Sequence, residues 1–292
     1  MATWEGGDLI ANGIRIHYTR TGGAKPPVVF AHGVTDDGLC WTPVAEALAA
    51  DYDVIMVDAR GHGRSEAPET GYDPATQAAD LAGLIAGLGL RRPVVVGHSM
   101  GAVTTLVLAG SHPGVPGAIV LEDPPGWWLP AQSQQPAGAD SEADSAARDT
   151  VAAERLAGIR AWFAGLRSKT REELIAEQRA ATPGWSEAEL GPWADSKLRV
   201  SPYVLSVFSG TPGAMVDWPQ VLPRINCPAL LITGDTEQGA ILGGDGVAAL
   251  QTWVPQLRIE HIGGAGHNVR RDQLARFLTV VQAFLRETAH SG

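Results

Sequence analysis

The chain has 292 residues, of which 45% are hydrophobic, 18% charged and 6% aromatic. This is the composition of an ordinary globular protein, and it excludes collagen-like, disulfide-scaffold and disordered classes. The 22 Lys and Arg residues against 32 Asp and Glu residues give a net charge of −10. Such a charge repels the phosphates of nucleic acid and of anionic membrane surfaces, so neither is an expected partner.

The cysteines and the first residues bear on metal binding and location. Cys40 and Cys227 belong to neither a Cys-x-x-Cys nor a Cys/His metal spacing, and no metal or cofactor is expected. Glu5 and Asp8 stand where a signal peptide needs basic residues, and no run approaches the roughly 18 apolar residues of a membrane helix. The expected location is the cytoplasm.

Strands and helices alternate along the first part of the chain. After an Asn-Gly turn, Ile14, Ile16 and Tyr18 alternate with polar residues as in paired strands, and 28–31 is a continuous apolar run. The change indicates entry into a buried sheet, and the rhythm that follows predicts a parallel sheet with helices on both faces. The predicted strands are 54–57, 94–96 and 118–121, and the predicted helices are 75–88 and 102–109.

This rhythm stops after Pro125 and returns at residues 229–233, followed by a strand over 257–262 and a helix over 273–286. We therefore predict an α/β core formed by 1–125 and 221–292, with 126–220 inserted as a helical cap. Within the insertion, 132–147 has the composition of a loop. Helices are predicted over 151–166 and 170–180.

Six of the nine tryptophans fall in the insertion. A segment of this size has too small a core to bury six indoles, so several are expected to pack on the main domain or line a cavity. The predicted substrate-binding residues are Gly33, Trp128, Trp162, Trp185 and Trp218. The expected partner is a small-molecule substrate that is mainly apolar or aromatic.

The motif Gly97-His98-Ser99-Met100-Gly101 directly follows the strand 94–96 and directly precedes a helix. This G-x-S-x-G context is typical of a strained strand-to-helix turn that exposes a serine hydroxyl above the sheet. Glycines two residues on either side leave room for the turn, and the helix N-terminus favours developing negative charge. We predict Ser99 as a nucleophile.

A serine nucleophile at neutral pH needs a base, which in this architecture follows it in the chain. His267 lies in the loop Gly263-Gly264-Ala265-Gly266-His267 after the last strand. His98 neighbours the serine, but strand alternation predicts that it points to the wrong side of the turn. The remaining candidates are interpreted as packing or surface residues, and they are His17, His112, His261 and His290.

With these motifs the chain resembles the α/β-hydrolase superfamily, in its cofactor-free serine type. His32-Gly33-Val34 resembles the family's oxyanion loop, and residues 58–65 resemble its D-x-R-G-x-G-x-S turn. The resemblance implies a mostly parallel eight-stranded sheet flanked by helices. It also implies an oxyanion hole formed by the backbone N–H groups of Val34 and Met100, for which rigid donors suffice.

The acid that orients the histidine has two main candidates. Most members of the family carry it after the strand that follows the cap, where this chain has Glu237, with Asp235 as a further alternative. Asp123 ends the strand before the cap, 123 − 99 = 24 residues after the serine. Branches resembling N-formylmaleamate deformylases and zearalenone lactonases carry the acid there. Pro124 is expected to hold Asp123 extended and fixed, which favours it over the more flexible Glu237.

Three functions remain open. The first is hydrolysis of a carboxylic ester or lactone through an acyl-enzyme on Ser99 and His267. The second is hydrolysis of an amide, a formamide or a carbon–carbon bond by the same residues. The resemblance of Asp123 to the acid of the deformylases favours this second function. The third is a non-catalytic ligand receptor on a hydrolase scaffold, because a fold alone does not imply activity.

Overall fold

The chain forms one eight-stranded sheet in a computed structural model that describes residues 4–129, 142–208 and 215–289, with only the backbone described at 142–153, 155 and 289. The strands are β1 (Glu5–Ala11), β2 (Ile14–Arg20), β3 (Pro27–Ala31), β4 (Asp53–Val57), β5 (Val94–His98), β6 (Ala118–Glu122), β7 (Ala229–Thr233) and β8 (Leu257–His261). Their order is β1-β2-β4-β3-β5-β6-β7-β8. β2 pairs antiparallel with β1 and β4, and the other neighbours are parallel. The predicted mostly parallel α/β sheet is confirmed.

Helices cover both faces of this sheet. They are α1 (Thr42–Leu48), α2 (Pro74–Gly87), α3 (Met100–Ser111), α4 (Glu142–Arg167), α5 (Arg171–Ala181), α6 (Glu187–Arg199), α7 (Trp218–Val221), α8 (Gly244–Trp253), α9 (Val269–Asp272) and α10 (Leu274–Ala289). None of the helices in the described ranges is long and apolar enough to span a membrane.

The central strands are apolar on both faces because both faces are covered. Val28, Val29 and Phe30 of β3 are fully buried, and they alternate between two large apolar clusters on opposite sides of the sheet. Because strands β3, β5, β6 and β7 are parallel, their carboxyl ends lie at one edge of the sheet. Ligands bind at this edge in sheets of this kind.

Helices α4, α5 and α6 lie between β6 and β7, where the sequence predicts inserted helices. α5 begins with a capping box in which Thr170 and Glu173 satisfy each other's backbone N–H groups. The prediction of a loop over 132–147 was wrong at its C-terminal end, because α4 already includes 142–147. The Glu and Ala residues of this stretch are good helix formers. Residues 132–141 of that predicted loop lie outside the described ranges.

Candidate active site

Ser99 occupies the turn between β5 and α3. Its backbone has φ 53° and ψ −116°, a left-handed conformation that a serine adopts only when the surroundings enforce it. A Cβ at Gly97 would lie 2.3 Å from the carbonyl oxygen of Gly101, and one at Gly101 would lie 2.3 Å from that of Ala31. The two glycines of the motif are therefore required by close backbone crossings.

His267 and Asp123 form a hydrogen-bonded pair. Nδ1 of His267 lies 2.6 Å from Oδ2 of Asp123, whose carboxylate is fully buried. The same carboxylate accepts hydrogen bonds from the backbone N–H of Ile241 at 2.8 Å and of Leu242 at 3.0 Å. With Nδ1 donating to the carboxylate, Nε2 of His267 is the nitrogen left to accept a proton.

The backbone of Asp123 differs from the expectation. Pro124 was expected to hold it extended, but its φ is 39°, in the left-handed region. The carboxylate is instead held by the N–H groups of Ile241 and Leu242, which come from the segment after β7. Tertiary contacts, and not the local proline, determine where this side chain points.

The two alternative acids lie elsewhere. Glu237 is exposed on the short 3₁₀ turn Thr236–Gln238. Asp235 accepts hydrogen bonds from Nε2 of His261 at 2.8 Å and from the N–H of Gly264 at 2.7 Å. The described carboxylate that reaches His267 is that of Asp123.

Ser99 and His267 line one cavity of roughly 410 Å³, a size typical of small-molecule sites. Gly33, Trp162 and Trp185, all predicted as substrate-binding, also line it. The other lining residues are Val34, Thr35, Asp36, His98, Gln178, Thr182, Trp193, Lys197, Gln238, Gly239, Asn268, Arg271 and Asp272.

Trp128 and Trp218, also predicted as substrate-binding, are not brought to this cavity. Both are buried, with ring centroids 6.1 Å apart, and Nε1 of Trp128 donates to the carbonyl of Gly246 at 2.9 Å. They pack the insertion against the sheet domain, so they are core residues. Sequence position within the insertion could not separate them from Trp162 and Trp185.

The loop of residues 33–37 lies directly against Ser99. A Cβ at Gly33 would stand 2.8 Å from Nδ1 of His98 and 3.5 Å from Cβ of Ser99. Met100 directly follows Ser99 and is the first residue of α3, so its N–H has no acceptor within the helix. The backbone N–H groups of Val34 and Met100 thus belong to the two segments next to Ser99.

His98 occupies a place that strand alternation did not predict. It lines the same cavity as Ser99, and its Nε2 lies 2.9 Å from the carbonyl oxygen of His267. Burial, with Arg270 and His267 nearby, lowers the pKa of His98 well below its usual range. The neutral ring then carries its proton on Nε2 and donates it to that carbonyl, which braces the His267 loop.

A buried cluster of charges adjoins the cavity. Asp36 accepts from Lys197 Nζ at 2.6 Å, from Arg270 Nη2 at 3.1 Å and from Arg271 Nη2 at 3.0 Å. Burial raises the pKa of Asp36, but the three cations outweigh it and hold the pKa well below the usual range. Arg270 also pairs with Glu122 at 2.9 Å, the residue before Asp123.

Sequence reasoning missed this cluster. Its signal was present, because Asp36 follows the oxyanion-type motif and Arg270-Arg271 follows His267 within four residues. Charges at adjacent chain positions do not, however, reveal which of them meet in space. Within the ranges that the structure describes, no group of three His, Cys, Asp or Glu residues could hold a metal ion.

The sheet order, the strained serine turn and the His267–Asp123 pair define a hydrolase of the α/β type. A family model described as the alpha/beta hydrolase family matches residues 28–279, and the chain belongs to this family. The family resemblance seen in the motifs is thereby confirmed.

Individual relatives refine this placement. The chain is 29% identical over 284 residues to the N-formylmaleamate deformylase of Pseudomonas putida, covering 96% of both chains. It is 38% identical over 104 residues to the 2-(acetamidomethylene)succinate hydrolase of Mesorhizobium japonicum, covering 36% of this chain and 37% of the relative. The crystal structure of the N-formylmaleamic acid deformylase from Pseudomonas putida S16 superimposes with a TM-score of 0.72 at 26% identity, covering 95% and 100% of the two chains.

Proposed function

We propose that the chain is a serine hydrolase that cleaves a carboxylic ester or lactone of a mainly apolar or aromatic small molecule. The observation that carries the proposal is the presence of Ser99, on a strained turn, and of the Asp123-bound His267 in one cavity. This is the set of groups that nucleophilic acyl transfer requires. In the same proposal, residues 126–220 act as a cap over a core formed by 1–125 and 221–292.

The reaction proceeds in two halves. Oγ of Ser99 attacks the substrate carbonyl carbon while Nε2 of His267 takes the hydroxyl proton, and Asp123 stabilises the resulting imidazolium. The carbonyl oxygen becomes an oxyanion that accepts hydrogen bonds from the N–H groups of Val34 and Met100. His267 then returns the proton to the leaving group. In the second half His267 takes a proton from a water that attacks the acyl carbon, and it passes that proton to Oγ of Ser99 as the bond between Oγ and the acyl group breaks.

The aromatic side chains of the cavity support the substrate class. Trp162, Trp185 and Trp193 face the space next to Ser99, and Trp162 is half exposed. The guanidinium carbon of Arg271 lies 4.9 Å from the ring centroid of Trp185, and Nε1 of Trp185 donates to Oδ1 of Asp272 at 2.7 Å. The indole of Trp185 is therefore fixed. A fixed aromatic wall binds a flat apolar group at little cost in side-chain entropy.

A second candidate is hydrolysis of an amide or formamide on the same residues. It is favoured by the similarity to the N-formylmaleamate deformylase, which extends over 96% of both chains. The nucleophile, base and oxyanion donors serve either bond, since only the leaving group differs.

The test is hydrolysis of 4-nitrophenyl butyrate and of its matched anilide by the wild type and by Ser99→Ala. Ser168→Ala serves as the matched control, because Ser168 is exposed and its hydroxyl donates to the local carbonyl of Gly165. Turnover of the ester that Ser99→Ala abolishes and Ser168→Ala retains would support the proposal. A fluorophosphonate should add mass to Ser99 of the folded wild type.

Release of formate from N-formylmaleamate, in preference to ester turnover, would favour the second candidate. Absence of turnover on all three substrates, together with an unmodified Ser99, would overturn both and favour the ligand-receptor interpretation.

A further inference from the structure

Lys197 lies near the end of α6, and its side chain is 3% exposed. Nζ donates to the carbonyl oxygen of Thr35 at 2.9 Å, to Oδ1 of Asp36 at 2.6 Å and to Oγ of Ser196 at 3.2 Å. An ammonium group has three protons, so all of its donors are used inside the protein. Two of the three acceptors belong to the 33–37 loop.

The 33–37 loop is a tight turn, in which the N–H of Asp36 donates to the carbonyl of Gly33 at 3.0 Å. Val34 lies within this turn, one residue before the carbonyl that Lys197 binds. A displacement of Thr35 is therefore expected to shift the neighbouring N–H of Val34. Among the described residues, Lys197 is the donor to the Thr35 carbonyl.

The same helix contacts the loop that carries the histidine. Oε2 of Glu189, near the start of α6, lies 3.2 Å from Nε of Arg271, four residues after His267. Arg199, at the end of α6, pairs with Asp37 at 3.2 Å. One inserted helix therefore contacts both loops that flank Ser99.

We infer that Lys197 is a positioning residue, through which the inserted helix α6 holds the 33–37 loop so that the N–H of Val34 points at the developing oxyanion. The effect of Lys197 on oxyanion stabilisation rests on the proposed function. Lys197 acts through Thr35 and Asp36, and α6 must be docked for the oxyanion hole to be complete.

Loss of Lys197 is expected to be local. Asp36 keeps its bonds to Arg270 and Arg271, so its carboxylate is not left unpaired. The Thr35 carbonyl, in contrast, loses its donor. The variant Lys197→Met removes the charge and the donors at similar side-chain length, and should remain folded.

The matched control is Arg171→Met. Arg171, on α5, pairs with Asp195 of α6 at 2.7 Å, but this pair is exposed and contacts neither loop. The variant Arg171→Met therefore removes an ion pair of α6 and leaves the contacts of α6 with the two loops in place. Both variants should retain a cooperative thermal unfolding transition.

The first readout is kinetic. Removal of a whole oxyanion donor lowers kcat by about 10²–10³-fold, so a displaced donor in Lys197→Met should lower kcat by about 10- to 100-fold. KM for the aryl ester should stay within about twofold, because ground-state contacts persist. Affinity for an aryl trifluoromethyl ketone should fall by the same factor as kcat. Oγ of Ser99 adds to the carbonyl carbon of this ketone, and His267 takes the serine proton. The ketone oxygen becomes an oxyanion, so the adduct resembles the intermediate of ester hydrolysis.

The second readout needs no turnover. Amide hydrogen exchange of a peptide covering the 33–37 loop should accelerate at least tenfold in Lys197→Met and stay unchanged in Arg171→Met. A role confined to substrate contact would instead raise KM at constant kcat and leave the exchange unchanged.

Unchanged exchange in Lys197→Met, or a rise in KM alone, would overturn the inference. A wild type that neither hydrolyses the ester nor binds the ketone would overturn the proposed function, while faster exchange in Lys197→Met would still establish that this lysine holds the loop. The two failures are therefore distinguishable.

Discussion

Nδ1 of His267 lies 2.6 Å from Oδ2 of Asp123, although the two residues are 144 positions apart in the chain. The N–H groups of Ile241 and Leu242 bind the same carboxylate, so three donors converge on one buried anion. Such a carboxylate is fixed in direction next to the imidazole, as the orientation of a histidine base requires.

Asp123→Asn should lower kcat for an aryl ester by about 10³–10⁴-fold, because the amide presents a donor to groups that are themselves donors and His267 then adopts the other tautomer. Glu237→Gln, the matched control on the exposed alternative acid, should change kcat by less than about twofold. Steady-state kinetics of both variants checks this. A larger loss in Glu237→Gln than in Asp123→Asn would assign the acid to Glu237.

Trp162→Ala should weaken selection for aromatic substrates. Its indole is 51% exposed and lines the cavity next to Ser99. Loss of one aromatic contact, worth about 1 kcal/mol, should lower kcat/KM for a naphthyl ester by about fivefold relative to a methyl ester. Trp253→Ala is the control, since Trp253 is similarly exposed on α8 and does not line the cavity. An equal ratio in the wild type and Trp162→Ala would contradict an aromatic binding wall.

Arg270→Met should be among the most destabilising substitutions of the cluster. Arg270 is fully buried and bonds to both Glu122 and Asp36. Asp36 keeps Lys197 and Arg271, but the fully buried Glu122 loses its partner cation, which costs about 3–5 kcal/mol of unfolding free energy. Urea denaturation measures this. Arg179→Met, which breaks an exposed pair with Glu187, should leave the midpoint nearly unchanged, and equal shifts in both variants would refute the burial argument.

Asp37→Asn should change the pH dependence of stability. Burial, together with the nearby Asp58, raises the pKa of Asp37 to about 7 in the folded protein, against an ordinary value of 3.8. Between these two values the folded state binds more protons than the unfolded state, so the contribution of Asp37 to stability falls as pH rises. The variant should therefore gain unfolding free energy relative to the wild type from pH 5 to pH 8.

Urea denaturation of Asp37→Asn and the wild type at both pH values measures that difference. Titrating groups that do not interact with residue 37 are common to the two proteins and cancel, so the difference reports Asp37 and its interaction with Asp58. Asn at position 37 can still accept from the N–H of Leu39, so the local cap is preserved. A difference that is independent of pH would contradict a raised pKa.

The elements of the sheet and the serine turn were predictable because their signals are local. Apolar runs, the alternation of strands with helices, and the glycines around Ser99 each act within a few residues of chain. The same locality explains the errors. Strand alternation misplaced His98, which reaches the carbonyl of His267, and the restriction by Pro124 did not set the backbone of Asp123.

From the residue order alone, the fold class, the strained turn at Ser99 and the loop that carries His267 could be predicted, since each depends on patterns that the chain carries within one segment. Only the tertiary structure showed which carboxylate contacts His267 and which tryptophans face the cavity. The N–H donors at 241–242 and the inserted helix that carries Lys197 reach the site from distant parts of the chain. Contacts between distant segments arise from packing, which no local pattern encodes.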